Sequence, residues 1–381
     1  MSPTPVTFTP PAPPTAYEWE ATNEAVASRY GVPIERIARF DLNTSPSAPA
    51  VAERALAAGW LETGLSEYPP SDYLRLVEAA AARYGVSPDE LLVGAGADEI
   101  LDLVAKAFLP AGGTAVLPAP TYAMYRVLSE QRRATIRSVP RLGAGAGYAF
   151  DAAAIRESAG GADLVWLCSP NNPTGLVEPP GAIAGLLDGL LADAAAAGAH
   201  PPVVVLDEAY AEFVGASLLD LRRAYPRFIG VRTLSKAYGL AGLRVGFAIA
   251  SPATIAELAP YRPPGSVSVV SVTIGTAALL DDDATRANLA RVARERARLA
   301  AGLAAAGWSI GPSVTNFLLA GFGTPERAAA MAEALLGRGL VPRTFGPRHP
   351  LSDHLRLTVR DVAENERLID AAREIGGGTT A

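Results

Sequence analysis

Lysine is almost absent from this sequence, and cysteine and histidine are nearly as scarce. Only Lys106 and Lys236 among the 33 basic residues are lysines, and the chain has one cysteine, Cys168, and three histidines. A single cysteine excludes an intramolecular disulfide framework and a cysteine-based metal cluster. Because the histidines also lack the spacing of a metal site, we expect a metal-free protein in which Cys168 is buried and inert.

Long apolar runs and an excess of positive charge are also missing. Proline, glycine or a charged residue interrupts each apolar run well before the roughly 20 residues that a membrane span needs. The N-terminus shows no basic segment followed by an apolar core, so we expect no signal peptide. A net charge of −6 disfavours nucleic acids and anionic membranes as partners. We therefore expect a cytoplasmic protein that binds neither.

The length of 381 residues is more than one hydrophobic core usually supports, so two domains are expected. We predict an N-terminal arm over residues 1–40, whose first 16 residues include six prolines. Residues 41–66 are predicted to join the small domain, residues 67–274 to form the large domain, and residues 275–381 to complete the small C-terminal domain.

Beyond residue 71, helical patterns alternate with continuous apolar runs. Such runs, in which apolar residues do not alternate with polar ones, are typical of parallel strands that helices cover on both faces. The runs occupy residues 114–117, 163–168, 203–206, 228–233 and 245–250. The fold class is therefore predicted to be α/β with a mostly parallel sheet, and ligands are expected beyond the carboxyl ends of its strands.

The two lysines lie in different contexts. Arginine serves most roles of a positive charge, but it cannot lose its proton and act as a nucleophilic amine, whereas a desolvated lysine can. Lys106 falls on the polar face of a predicted helix. Lys236 lies in a Ser/Gly-rich turn after an apolar run, so it is the candidate for amine chemistry, with a solvated loop lysine as the alternative.

Four polar groups follow predicted strands. They are the glycine-rich turn at residues 93–99, the two asparagines of residues 169–175, Asp207 after residues 203–206, and the set Thr233, Ser235, Lys236 and Arg244. Alone, each has an ordinary explanation as a helix cap or a tight turn. Together they offer an anion-binding helix N-terminus, a reactive amine, a carboxylate and hydrogen-bond donors, which are the groups that pyridoxal phosphate requires.

Ordered motifs over about residues 40–370 resemble one family. Gly-Ala-Asp-Glu, Pro-Thr-Tyr, Asn-Asn-Pro-Thr-Gly, Asp-Glu-Ala-Tyr, Ser-Lys and Gly-Leu-Arg-Val-Gly follow one another as in the fold-type I pyridoxal-phosphate-dependent aminotransferases of class I/II. The sequence looks most similar to the histidinol-phosphate aminotransferase group. The resemblance implies a large domain with a mostly parallel seven-stranded sheet, a smaller α+β domain, and transfer of an amino group from an amino acid to a keto or aldehyde acceptor.

The resemblance also assigns roles around the cofactor ring. It implies that Lys236 forms the Schiff base and later moves a proton, and that Asp207 faces the pyridine nitrogen and keeps it protonated. Asn172 and Tyr210 are expected to bond the phenolate oxygen, and Tyr122 to stack on the ring.

Further positions are expected to bind phosphate or substrate. The resemblance places around the cofactor phosphate the backbone of Ala97 and the side chains of Asp98, Thr233, Ser235 and Arg244. Tyr68 matches a tyrosine that reaches the cofactor of the neighbouring subunit, which implies a homodimer. Substrate-binding positions are Arg356 for a carboxylate, Arg343 for a phosphate, and Asn43 in the N-terminal substrate segment. Arg343 and Arg348 could instead be surface charges.

Two other functions stay open at this point. The segment Asn43–Ser47 differs from the Asn-Glu-Asn-Pro common in the family, and the Tyr-Gly-Val-Pro at residues 30–33 is similar to the threonine-phosphate decarboxylase branch. A lyase, such as an amino-acid decarboxylase or a cyclising enzyme, is therefore the alternative. A cofactor-binding regulator without turnover is the other possibility; regulators of this kind carry an added DNA-binding domain, which we do not expect in 40 proline-rich N-terminal residues.

Overall fold

The computed structural model describes residues 21–59 and 64–377, so the proline-rich segment of residues 1–16 lies outside the described residues. The helices of the described part are α1 (Asn23–Tyr30), α2 (Ala50–Ala57), α3 (Leu74–Tyr84), α4 (Gly96–Phe108), α5 (Ala123–Gln131), α6 (Ala152–Ser158), α7 (Ala182–Ala197), α8 (Pro252–Leu258), α9 (Val269–Leu280), α10 (Asp282–Ala305), α11 (Pro325–Leu336) and α12 (Val362–Gly377). Its strands are β1 (Ala38–Phe40), β2 (Leu91–Gly94), β3 (Thr114–Ala119), β4 (Thr135–Pro140), β5 (Leu164–Cys168), β6 (Val203–Asp207), β7 (Phe228–Thr233), β8 (Gly246–Ala250), β9 (Ser309–Ile310), β10 (Phe317–Gly321), β11 (Leu340–Pro342) and β12 (His354–Thr358).

A seven-stranded sheet organises the larger part of the chain. Its order is β2-β8-β7-β6-β5-β3-β4, and only β8 runs antiparallel to its neighbours, β7 and β2. The remaining neighbours pair in parallel. The predicted α/β class and mostly parallel seven-stranded sheet are therefore confirmed. Because β5 and β6 are in register from Leu164 to Cys168, their carboxyl ends meet at one edge, where Asp207 lies.

Alternating side chains of the strands fill two separate cores. In β6, Val203 and Val205 pack into one cluster with α4, α5 and α8, whereas Val204 and Leu206 pack into another with α6 and α7. Both faces of the sheet are covered, which explains why the central strands carry apolar residues on both faces. The two edge strands of the sheet are β2, which precedes the predicted glycine-rich turn, and β4, which has no continuous apolar run. β4 is mostly exposed, and β2 has only four residues.

The smaller α+β unit consists of two short sheets and the helices α10, α11 and α12. β10 pairs antiparallel with β12 and β9, and β1 pairs in parallel with β11. The domain boundaries stay a prediction, and the packing favours two adjustments. Residue 275 lies inside α9, so Asp281 between α9 and α10 is a more natural boundary. Within residues 41–66, α2 packs against α9 and belongs to the core cluster of the large sheet.

Candidate active site

Lys236 projects into the space between the two units. It lies in the turn that follows β7, and its Nζ is 3.5 Å from the carbonyl oxygen of Asn43 and 5.8 Å from the centroid of the Tyr210 ring. Burial, with the positive charges of Arg356 and Arg244, lowers the pKa of Lys236 to about 8, although Asp98 and Asp207 oppose this shift. An appreciable fraction of the amine is thus neutral near physiological pH, as a nucleophile or base requires.

Lys106, the other lysine, lies in a different environment from Lys236. Lys106 is exposed on α4 and donates to Asp102 one helical turn away, which is the predicted polar-face position.

Cys168 is buried, and desolvation raises the pKa of its thiol to about 12. A thiol held in this protonated form is a poor nucleophile, so Cys168 is inert as expected.

Asp207 ends β6 at the edge where Lys236 also lies. Its carboxylate is buried and accepts hydrogen bonds from the Tyr125 hydroxyl at 2.8 Å and from the Ala209 N–H at 2.9 Å. Burial raises the pKa of Asp207 to about 6, while these two hydrogen bonds oppose the shift. A buried carboxylate of this kind is suited to holding a protonated ring nitrogen by charge and hydrogen bonding.

Tyr125 is a site residue that the sequence prediction missed. Its ring is stacked on Trp166 with 5.3 Å between centroids, and it meets the Tyr122 ring edge-on at 5.7 Å. The signal was its position, since Tyr125 comes three residues after Tyr122, the N-cap residue of α5, and therefore lies about one helical turn from it.

Replacing Tyr125 by Phe should move the acid limb of the pH–rate profile upward. The lost hydroxyl lowers the pKa of Asp207 in the wild type, so without it the carboxylate stays protonated to a higher pH. We expect a decrease of about 3- to 10-fold in kcat near pH 6 and a smaller one near pH 8. Rates of both proteins between pH 5.5 and 9 test this, and an unchanged acid limb would contradict it.

Two glycines, Gly96 and Gly246, make room for an anion-binding cup that consists of the first turn of α4 and Arg244. A side chain at Gly246 would come within 2.6 Å of the Ala97 backbone nitrogen, and one at Gly96, whose φ is +82°, would meet the Arg244 guanidinium at 2.4 Å. Only glycine lets β8 and Arg244 approach the helix N-terminus so closely. The backbone of Ala97, which lies in the first turn of α4, and Arg244 therefore converge as a phosphate would require.

Side chains of the predicted phosphate group form one connected network. The Thr233 hydroxyl donates to Ser235 Oγ at 3.0 Å, and Arg244 donates to Ser235 Oγ at 3.4 Å and to Asp98 Oδ2 at 3.1 Å. Tyr122 donates to the other oxygen of Asp98 at 2.9 Å. The predicted phosphate residues are thus brought together, although their ligand contacts stay predictions.

The predicted substrate residues Asn43 and Arg356 also lie near Lys236. Arg356 is buried and donates to Asn172 Oδ1 at 2.6 Å, while Asn43 Nδ2 donates to the Tyr210 hydroxyl at 3.0 Å. Burial raises the pKa of Tyr210 well above its usual value, so its hydroxyl stays a hydrogen-bond donor. Arg343 is half-buried and pairs with Arg356 through two backbone hydrogen bonds of 3.0 Å.

Tyr68 is separated from these groups. It is 89% exposed, and a Cβ on Gly265 would lie 3.6 Å from its ring. Its predicted role at a neighbouring subunit's cofactor is compatible with this exposure, but the structure of one chain does not test it.

Known proteins with the same arrangement identify the family. The family model for aminotransferase class I and II matches residues 40–371. The chain belongs to the aminotransferase class I and II family. Histidinol-phosphate aminotransferase from Roseiflexus castenholzii is 37% identical over 92% of this chain and 93% of its own length, and the one from Thermococcus gammatolerans is 34% identical over 89% and 92%.

Solved structures agree with this assignment. The histidinol-phosphate aminotransferase from Sinorhizobium meliloti in complex with pyridoxal-5'-phosphate superposes with a TM-score of 0.84 at 26% identity, covering 95% of this chain and 96% of that one. L-threonine-O-3-phosphate decarboxylase from Porphyromonas gingivalis, with a TM-score of 0.72 at 22% identity, shows the same fold. The protein is a pyridoxal-phosphate-dependent aminotransferase of amino-acid metabolism, and the cup at α4, Lys236 and Asp207 fit that cofactor.

Proposed function

We propose that this aminotransferase acts on histidinol phosphate, exchanging its amino group with a carboxylate-bearing donor or acceptor such as glutamate. The observation that carries the proposal is the pairing of Arg343 with Arg356. Relatives from several organisms, at 32–37% identity, are histidinol-phosphate aminotransferases, which supports the same substrate here.

The paired arginines favour a substrate with a phosphate. Arg343 and Arg356 are directly opposite in an antiparallel bridge, so their side chains leave the backbone on the same face. Two arginines on one face can both donate to one phosphate monoester, which carries about −1.5 to −2 charges at neutral pH. Either guanidinium can also bind a carboxylate bidentately, so the same pair can accept the phosphate-free partner substrate.

Residues of this chain would hold the cofactor and move the proton. Bound pyridoxal phosphate supplies an electron-withdrawing ring that makes the hydrogen on the amine-bearing carbon acidic. Lys236, with its pKa of about 8, can accept that proton on Nζ and return it. Asp207 would hold the positive charge at the ring nitrogen, Tyr210 would donate a hydrogen bond to the phenolate oxygen while keeping its proton, and Arg356 would orient the substrate anion.

Substrate choice can be tested with the cofactor-loaded enzyme and single amino donors. Histidinol phosphate should convert the bound cofactor to pyridoxamine phosphate, which absorbs at shorter wavelength, whereas histidinol without phosphate should react far more slowly. Glutamate should give the same product. An equal rate with histidinol would contradict phosphate recognition, and release of carbon dioxide from an amino-acid donor with unchanged cofactor would indicate a lyase.

Arg343→Gln should lower kcat/KM for histidinol phosphate much more than for glutamate. A charged hydrogen bond lost from a buried site costs about 1.5–3 kcal/mol, so kcat/KM for histidinol phosphate should fall about 10- to 100-fold. The value for glutamate should fall much less if Arg356 binds its carboxylate. Arg348→Gln, on an exposed neighbour, is the matched control, and equal losses for both substrates in Arg343→Gln would oppose the assignment.

We also propose a cytoplasmic homodimer whose sites share Tyr68. Among residues 21–59 and 64–377, the structure contains no helix long and apolar enough to cross a membrane. Tyr68 is 89% exposed, and tyrosine is enriched at interfaces between subunits.

Mixing two inactive variants tests the shared site. Lys236→Ala subunits and Tyr68→Ala subunits, refolded together at equal amounts, should form hybrid dimers. In each hybrid, one site has both Lys236 and Tyr68 and is intact, and the other site has neither. Because about half of the dimers are hybrids, about a quarter of the wild-type activity should return at limiting cofactor. Mixtures that gain no activity although hybrids form would reject the role of Tyr68.

A further inference from the structure

Asn43 links the small unit to the reactive lysine. It is buried, and its backbone is left-handed with φ of 53°. Its carbonyl oxygen accepts from Asn316 Nδ2 at 3.0 Å and from Lys236 Nζ at 3.5 Å. Asparagine tolerates this conformation better than most residues, but it persists only where neighbouring contacts hold it.

Every polar group of Asn43 has a partner. Its N–H donates to the Thr358 hydroxyl oxygen at 2.9 Å, its Nδ2 donates to the Tyr210 hydroxyl at 3.0 Å, and its Oδ1 lies 3.2 Å from the Thr358 hydroxyl. The small-unit residues Asn316 and Thr358 therefore fix the peptide, and the peptide in turn faces Lys236 and Tyr210 of the large unit.

Asn316 is itself rigidly placed. Its carbonyl accepts from the Val359 N–H at 2.8 Å, and Arg296 donates to the carbonyls of the two preceding residues. It is buried, and within the described part of the chain its Oδ1 has no hydrogen-bond partner. The hydrogen bond that its side chain makes within these residues is the one from Nδ2 to the Asn43 carbonyl, so this buried amide is directed at the Asn43 peptide.

We propose that Asn316 is a positioning residue, which fixes the Asn43 carbonyl as the acceptor for the Lys236 amine whenever that amine is not bonded to the cofactor. The amine must stay aligned during this stage, because it then carries the proton. Asn316 touches neither reactant and acts through Asn43. The inference concerns the aminotransferase reaction itself and does not depend on which substrate is used.

The charged groups around Lys236 determine in which direction its pKa should change when Asn316 is replaced. Arg356 and Arg244 disfavour the ammonium form, Asp98 and Asp207 favour it, and burial outweighs them all. The ring of Tyr210 also faces the amine. A carbonyl acceptor stabilises the ammonium form, so a carbonyl that is no longer held should leave the amine with a lower pKa than in the wild type.

Because the chain has only two lysines, the pKa of the Lys236 amine can be measured in the full-length chain without cofactor. Cyanate reacts only with the neutral amine, and peptide mass spectrometry then reports Lys236 and Lys106 separately as the pH is varied. In Asn316→Ala, and in Asn316→Leu, which keeps the branched heavy-atom skeleton of the side chain, the midpoint for Lys236 should fall by about half a unit or more. Lys106, which is exposed on α4, should react alike in all variants.

A matched variant separates positioning from loss of stability. Asn365→Ala removes an equally buried asparagine of the same unit, which bonds Glu295 and the Arg360 carbonyl. Its Lys236 midpoint should equal that of the wild type. An unchanged midpoint in folded Asn316→Leu, or an equal shift in Asn365→Ala, would overturn the proposal. If Asn316→Ala does not fold, the Asn316→Leu result alone decides.

Discussion

Replacing Lys236 by Ala should reduce kcat by at least about 10³-fold, because it removes both the covalent attachment of the cofactor and the proton carrier. The visible absorbance of the lysine-bound cofactor should disappear from the variant, which can be followed in the same sample as the activity. The phosphate cup at α4 does not involve this side chain, so the cofactor should still bind, although more weakly.

The chain contains its own control for this experiment. Lys106→Ala removes the only other lysine, an exposed residue paired with Asp102, and should leave turnover and absorbance unchanged. Turnover near the wild-type level in Lys236→Ala would refute the assignment of the amine.

Replacing Asp207 by Asn should leave the cofactor bound and nearly inert. The amide keeps the size of the side chain but cannot hold a positive charge at the ring nitrogen, so the substrate carbon is less acidic. We expect kcat to fall about 10²- to 10⁴-fold, whereas the lysine-bound cofactor should still absorb visible light. Stopped-flow spectra with glutamate test this, and a rate within 3-fold of the wild type would contradict it.

The same substitution should stabilise the cofactor-free protein at alkaline pH. The pKa of Asp207 is raised from 3.8 to about 6 in the fold, so the native state binds the proton more tightly than the unfolded chain does. Stability from this group is complete below about pH 4 and is lost as the pH rises through about 6. A shift of about two units corresponds to about 3 kcal/mol, and urea unfolding at pH 8 should show a gain of up to that size in Asp207→Asn.

Much of the cofactor site could be predicted from the sequence because its residues follow strands. A parallel sheet brings all the carboxyl ends to one edge, so Asp207, Thr233, Ser235 and Lys236 had to lie near each other once the apolar runs were recognised as strands. The glycine-rich start of α4 belongs to the same edge.

Contacts between distant segments could not be predicted in this way. Asn316 and Thr358 lie about 270 and 315 residues after Asn43, and nothing in their local patterns indicates that they meet. Tyr125 was missed although its helical spacing from Tyr122 was informative, because a buried tyrosine is usually a core residue. The polar edge strand β4 was missed because it lacks an apolar face.

Reduction of the cofactor-loaded enzyme with borohydride tests the central assignment most directly. Borohydride makes the bond between a lysine and pyridoxal phosphate permanent, and peptide mass spectrometry then shows which lysine carries the added mass. We expect one cofactor per chain, attached at Lys236, with Lys106 unmodified. Attachment at Lys106, or an active enzyme with no cofactor on either lysine, would contradict it.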